Sequence, residues 1–246
     1  MNILVCISKA PDTTSKIAFT DGNTKFNEDG VQFIVNPYDE WYALVRGLEL
    51  KEALGGKVTI VSVGGADYDP ILRKALAIGA DEAARIDANP TDSYQVAAEL
   101  ANYAKANNFD LVLLGKETIN YNGSQVGGMM AAVMDVPYVS NASKLEVAGT
   151  TATIEREKQG GTEVLEASLP CVISAAKGMA EQRIPNMRGI MAARSKPLNV
   201  VAASGANALT ETVSYTLPDA KGAVKLIDAD NVGELVNLLH NEAKVI

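Results

Sequence analysis

Apolar residues along this chain fall into short runs parted by stretches of helical period. Residues 2–7, Asn-Ile-Leu-Val-Cys-Ile, form a continuous apolar run of the length of a buried strand. A polar segment with turn signals at Asp21-Gly22 and Asp29-Gly30 leads to a second run at 31–35. Asn36 and Pro37 then open a helix that Gly55-Gly56 close. Its Trp41, Leu44, Val45 and Leu48 recur at helical spacing and mark the core face. The pattern next predicts a strand over Lys57–Val63, a turn at Gly64-Gly65-Ala66-Asp67, a helix over Asp69–Ile78 and a short strand at 82–86. Residues 91–107 read as an amphipathic helix capped by Asp92 or Thr91. Residues 110–114 are the next apolar run, and the glycine- and amide-rich stretch 115–125 separates it from a small-residue helix, Val126–Met134. Strands separated by helices imply parallel pairing through right-handed crossovers, hence an α/β fold with a doubly wound, mostly parallel sheet.

The pattern changes after Pro137. Three β runs follow, parted by Gly149 and by Gly160-Gly161, and they predict antiparallel hairpins appended to the sheet. A loop with a short helix comes next, then a strand over Leu198–Ala202. Beyond it lies a tail without lasting periodicity until residues 231–242 turn helical again. Such a tail suits wrapping around another surface.

Charge and cysteine content narrow the function. A net charge of −8 leaves no basic surplus for general nucleic-acid binding and disfavours an anionic membrane surface. No run has the length of a membrane span, and the N-terminal residues lack a signal peptide's basic flank. The two cysteines, Cys6 and Cys171, each lie in strand-like apolar runs and read as small core residues of a cytoplasmic protein.

Ligands of an open parallel sheet bind beyond the carboxyl ends of its strands. Four such ends carry polar or glycine-rich turns here: 8–12, 36–39, 64–67 and 115–125. In the last, Gly123-Ser124-Gln125 precede a helix, so backbone N–H groups and the helix dipole would face an anion. Lys116 could add charge, and Asn120, Asn122 and Gln125 offer donors and acceptors. The same glycine-rich turn also serves α/β folds that bind nothing. No Walker lysine follows it, which removes the usual case for phosphoryl transfer and favours a mononucleotide held by backbone groups. Catalytic sets are missing. The single histidine, His240, reads as a solvated surface residue, and no zinc-ligand spacing occurs. Glu155 and Glu157 share one face of a strand with Arg156 on the other, which suits a solvated face or an interface better than acid–base chemistry. The residues point to a chain that binds rather than catalyses.

Several ordered motifs then carry a resemblance: VNPYDEWYALVRGLELKE, LRKALAIGADEAARI, DLVLLGKETINYNGSQVGGMMAAVMDVPYVSNAS and IEREKQGGTEVLEASLPCVISAAKGMAEQRIPNMRGIMAARSKP. The last holds a basic residue, a double glycine, a glutamate and a Leu-Pro, here Arg156, Gly160, Gly161, Glu163, Leu169 and Pro170. Over nearly its whole length the chain resembles the β subunits of electron-transfer flavoproteins.

The resemblance implies an adenine-nucleotide-binding, HUP-like domain over residues 1–200 and a C-terminal arm over 201–246 that embraces an α subunit. It implies an AMP at the rim, touched by Cys6, by Asn36, Pro37, Tyr38 and Asp39, and by Val63. The contacts continue through Gly115, Lys116, Glu117, Thr118, Ile119, Asn120, Tyr121, Asn122, Gly123, Ser124, Gln125 and Val126. Family members often carry acids where this chain has Asn120, Tyr121 and Asn122, and where Gln159 precedes the double glycine; electron-bifurcating relatives hold a second FAD at this rim. By the same resemblance the redox FAD sits mainly in the α subunit of a heterodimer. Electrons would pass from flavin dehydrogenases, such as acyl-CoA dehydrogenases, to a quinone reductase. Residues 176–191 would be a recognition loop, with Met179 the apolar docking side chain and Arg183 and Met187 beside it; read from its residue type alone, Met179 could equally fill a gap in its own core. The alternatives are a stand-alone enzyme such as an ATP pyrophosphatase, whose SGGxDS loop is lacking after the first strand, and a nucleotide-binding stress module.

Overall fold

The computed structural model describes residues Met1–Ile246. Thirteen strands occur: β1 (Asn2–Cys6), β2 (Lys9–Pro11), β3 (Phe19–Thr20), β4 (Lys25–Phe26), β5 (Phe33–Val35), β6 (Lys57–Val63), β7 (Glu82–Asp87), β8 (Leu111–Gly115), β9 (Tyr138–Ala148), β10 (Thr151–Lys158), β11 (Gly161–Ser168), β12 (Cys171–Ala175) and β13 (Leu198–Ala202). The helices are α1 (Asp39–Leu54), α2 (Asp69–Ile78), α3 (Ser93–Asn107), α4 (Val126–Met134), α5 (Met187–Ala193) and α6 (Val232–Asn237).

Nine strands form one sheet in the order β11-β10-β9-β12-β8-β1-β6-β7-β13. All neighbours from β9 to β13 along that order pair in parallel, and only β9–β10 and β10–β11 are antiparallel. The expected doubly wound sheet with an antiparallel extension is thus what forms. β9 joins the two parts, parallel to β12 at its start and antiparallel to β10 along its length. It can do so because its apolar positions Val139, Ala142 and Leu145 all turn inward.

Alternation along the central strands feeds two cores. Ile3, Val5, Leu111 and Leu113 face one side with Leu44, Leu48, Leu72 and Leu76 of α1 and α2. Leu4, Cys6, Val112 and Leu114 face the other side with Leu100, Ala104 and Met130 of α3 and α4. Strands buried on both faces are why these runs read as continuous rather than alternating.

Two boundaries differ from the sequence pattern. The first long helix begins at Asp39, not Asn36, because Tyr38 takes φ 64° and Asn36 commits its side chain elsewhere. The run at 31–35 becomes a strand only over Phe33–Val35 and pairs with β2 in a small antiparallel sheet, while the polar segment before it forms the β3–β4 sheet, whose two-residue strands are too short to show a period. Asp92 caps α3 by accepting from Gln95 N at 2.8 Å.

Beyond β13 the arm is tied to α3. Glu99, only 2% exposed, accepts from the backbone N–H groups of Ser204, Gly205 and Ala206 at 2.7, 3.0 and 2.9 Å. Burial would raise its carboxyl, but these amide donors outweigh burial and hold it below its ordinary value. Asp92 takes Leu209 N and Thr210 N on its second oxygen. Further along, Leu217, Val224 and Leu226 are exposed.

Candidate functional site

The strand order reverses at β1. From β1 the chain runs outward through β6 and β7, then returns to place β8 on the other side of β1. The crevice at this switch point is where an open α/β sheet accepts a ligand. The four turns named from the sequence meet around it.

Asn36 ties two of them together. Its side chain is fully buried, donates from Nδ2 to Glu117 O at 3.0 Å and accepts from Ile119 N at 2.9 Å. One amide thus pins the 115–125 loop to the entrance of α1. Lys116 N donates to Ala175 O, fixing the start of the same loop against β12. Within the loop, Ser124 Oγ lies 3.0 Å from Glu117 Oε2, and Lys116 Nζ lies 3.6 Å from Glu117 Oε1.

Gly115 is required by packing. A Cβ there would lie 2.8 Å from Glu40 Cγ and 2.9 Å from Glu40 N. The absence of a side chain lets the N-terminus of α1 rest on the end of β8. Gly123 is different, since its Cβ would meet only the Gln125 side chain at 3.5 Å. Asn122 and Ser124, on either side of it, take φ of 49° and 50°, a bend costly for non-glycine residues. It delivers the chain into α4, whose Gln125 start has no side-chain cap. First-turn N–H groups of α4 are therefore free for an anion.

The opposite wall is built by Arg85, 5% exposed, which donates to Gly64 O and Asp69 at 2.8 Å each and pairs with Asp87 at 2.5 Å. It fixes the Gly64-Gly65 turn beyond Val63. Lys9 reaches from β2 to Asp67 at 2.5 Å, over the Phe33 ring. Tyr38 and Tyr121 are 64% and 72% exposed at the mouth.

A buried acid, Glu40, lies beneath, beside the half-buried Asp39. Ser8 donates to Glu40 through its N–H at 2.8 Å and meets the other carboxylate oxygen with Oγ at 2.6 Å. Burial pushes the Glu40 carboxyl up to about 8, against the lowering effect of the Ser8 bonds and with help from Asp39. The Asp39 carboxyl is also raised, by burial first; Lys116 opposes the rise and Glu117 adds to it. The Cys6 thiol is pushed up by burial and by Glu40, so it is no nucleophile. Ser8 begins the 8–12 turn named from the sequence, but Glu40 and Arg85 escaped that reading because a carboxylate in a helix's first turn and an arginine in a strand carry no motif. The buried positions of Glu40 and Arg85 set them apart only in three dimensions.

Residues 176–191 correct one expectation. Met179 is only 4% exposed and packs in the core with Leu145 and Ile154, so it offers no side chain to a partner. Its N–H bonds to Ala176 O at 3.2 Å, and Gly178 at φ 101° makes the bend that turns it inward. The exposed large apolar side chains here are Ile184, Met187, Ile190 and Met191. Arg183 forks onto Glu52 at 2.7 and 2.9 Å, while its carbonyl accepts from Trp41 Nε1. A surface depression of about 630 Å³ lies against this segment, between Gly79 and Gly189. It is an open groove whose Lys196 is spent capping carbonyls of Leu76 and Ala80. The converging amides at the rim are the stronger chemical signal.

At the far edge, Arg156 and Glu163 pair across β10 and β11 at 2.6 Å, next to the Gly160-Gly161 turn. The basic residue and the glutamate of that motif are therefore one cross-strand ion pair. His240 is exposed, as expected.

The sheet order and the crevice at β1 define a doubly wound α/β protein. Residues 23–206 match the family model of the electron transfer flavoprotein domain. The chain is 38% identical over 260 residues to the electron transfer flavoprotein subunit beta of Bacillus subtilis (strain 168), with both chains covered in full. It is 34% identical over 207 residues to the subunit of the same name from Homo sapiens, covering 82% of this chain and 81% of that one. It is 31% identical over 259 residues to the caffeyl-CoA reductase-Etf complex subunit CarD of Acetobacterium woodii, covering 99% and 98%. The chain belongs to the electron transfer flavoprotein β-subunit family. No helix is long and apolar enough to cross a membrane.

Proposed function

We propose that this chain is the β subunit of a heterodimeric electron-transfer flavoprotein in the cytoplasm, with AMP at the rim and an FAD held mainly by the α subunit. The observation that carries the AMP site is the Asn36 clamp, which presents the 115–125 loop and the uncapped start of α4 to one crevice. The residues fit a phosphate: backbone donors, two left-handed residues and a glycine without crowding at Gly123. FAD supplies the one-electron and hydride chemistry when bound. This chain's part is to hold a nucleotide, furnish part of the flavin's surroundings and present a docking face. Electrons would come from flavin dehydrogenases such as acyl-CoA dehydrogenases and leave to a quinone reductase. The exposed Ile184, Met187 and Met191 suit the dehydrogenase contact, in place of the buried Met179. The exposed apolar side chains of the arm, Leu217, Val224 and Leu226 among them, suit burial against the α subunit.

Co-expression tests the reading. The chain alone should purify colourless, and with its α subunit it should give a flavin spectrum. Extraction should release AMP and FAD in equal amounts. Stoichiometric flavin on the isolated chain would sink it. Two FAD per heterodimer without AMP would favour a second reading, a bifurcating subunit, which the exposed aromatic faces of Tyr38 and Tyr121 could serve by stacking a larger ligand.

A further inference from the structure

Glu40 is a carboxylate that the site as described does not use. It is 5% exposed, and its side chain bridges the end of β1 to the start of α1, directly against Gly115 of β8. Three walls of the crevice therefore meet on one acid. The groups acting on it are Ser8 from the end of β1 and Asp39 from its own helix, with the Cys6 thiol and the Tyr68 ring sensing its charge. No cation is among them, although buried carboxylates are ordinarily paired. An ionised Glu40 would set a negative charge under a rim whose other features attract an anion. An un-ionised Glu40 removes that charge. It can also donate its own proton to Ser8 Oγ, which frees the serine hydroxyl.

We propose that Glu40 is a positioning residue of the rim whose neutral form is the one that accepts a nucleotide phosphate, so that wherever Glu40 is ionised binding draws a proton from solvent onto its carboxylate. The proposal rests on the reading of the rim as an adenine-nucleotide site. A phosphate dianion raises the proton affinity of a nearby acid, and by linkage the protonated acid raises affinity for the dianion. The carboxyl's position near 8 places the effect within reach of experiment.

The test uses the heterodimer with its α subunit, stripped of loosely held nucleotide and titrated calorimetrically with AMP and, separately, with FAD. The range is pH 7 to 9.5, above the second phosphate ionisation at about 6. Affinity should fall by about fivefold or more across that range. The binding heat should vary with the buffer's ionisation enthalpy, reporting proton uptake. Glu40→Gln, a neutral isostere, should bind tightly and without pH dependence or proton uptake. Ser8→Ala removes a bond that lowers the Glu40 carboxyl, so it should shift the fall to higher pH; this arm also serves if Glu40→Gln does not fold. AMP binding that is flat with pH and free of proton uptake overturns the proposal, and so does a Glu40→Gln profile matching the parent. Either result leaves the nucleotide site standing. Absence of binding by both nucleotides at every pH overturns the site and the proposal together. Response to FAD but not AMP identifies the larger ligand and supports the same proton linkage.

Discussion

Phe19 and Tyr215 stack face to face, with ring centroids 4.8 Å apart and planes 9° from parallel. One ring belongs to the small β3–β4 sheet, the other to the arm, and Tyr215 N also donates to Asn23 O at 2.7 Å. With Glu99 and Asp92, this contact holds the first part of the arm on its own subunit. Tyr215→Ala should release residues beyond 210 while the sheet stays intact. An aromatic pair contributes about 0.5–1.5 kcal/mol beyond its buried area. Hydrogen exchange at 211–217 should rise with little change in the main melting transition. Unchanged protection there would show that Tyr215 is not an anchor.

Two glycines in the 115–125 loop should behave oppositely. Gly115→Ala drives a Cβ into the backbone of α1, which cannot swing away, and should destabilise by roughly 1–3 kcal/mol. Gly123→Ala meets only a flexible glutamine and should leave stability within about 0.5 kcal/mol. Denaturant melts of the two variants decide it. Equal losses would mean that the loop is packed otherwise.

Stability should fall with pH in a window that Glu40 sets. Its folded carboxyl is raised to about 8 from an ordinary 4.5. The native state therefore holds a proton that the unfolded chain has lost between those values. That contribution is complete below about 4.5 and disappears as pH climbs through about 8. Glu40→Gln keeps no such dependence, so its melting temperature should gain on the parent from pH 5 to pH 8. Parallel curves for the two proteins across that range would contradict a buried, proton-holding Glu40.

Met179 and Met187 lie eight positions apart in sequence and on opposite sides of the surface. Met179→Ala should open a cavity and cost about 2–5 kcal/mol of stability. Met187 is 73% exposed, and its truncation should leave the melt in place. If the exposed segment docks a dehydrogenase, Met187→Ala should slow flavin reduction by that partner. A slower reaction with Met179→Ala at unchanged stability would restore Met179 to the surface.

The parallel sheet was legible because its strands are buried on both faces and the glycine pair Gly55-Gly56 closes its first long helix. The 115–125 loop stood out in the sequence because glycines and amides accumulate where a strand meets a helix. Met179 was placed at the surface by the resemblance, while its residue type left a core position open, and the left-handed Gly178 turns the chain inward there. The rim's framework stayed hidden for another reason. Asn36 acts on residues 81 and 83 positions away, and Glu40 acts on Ser8 across 32. Pairings at such separation leave no trace in a local window.

The position of β1 bears on how the chain is made. Synthesis delivers β1 before both of its neighbours, and β8, which completes its pairing, follows about a hundred residues later. At about 5–20 residues per second that interval is roughly 5–20 s. Throughout it, one edge of a strand with four buried residues lacks its partner and can pair with the wrong chain. Ribosome-bound intermediates shorter than residue 115 should therefore be clients for chaperones that shield hydrophobic strands.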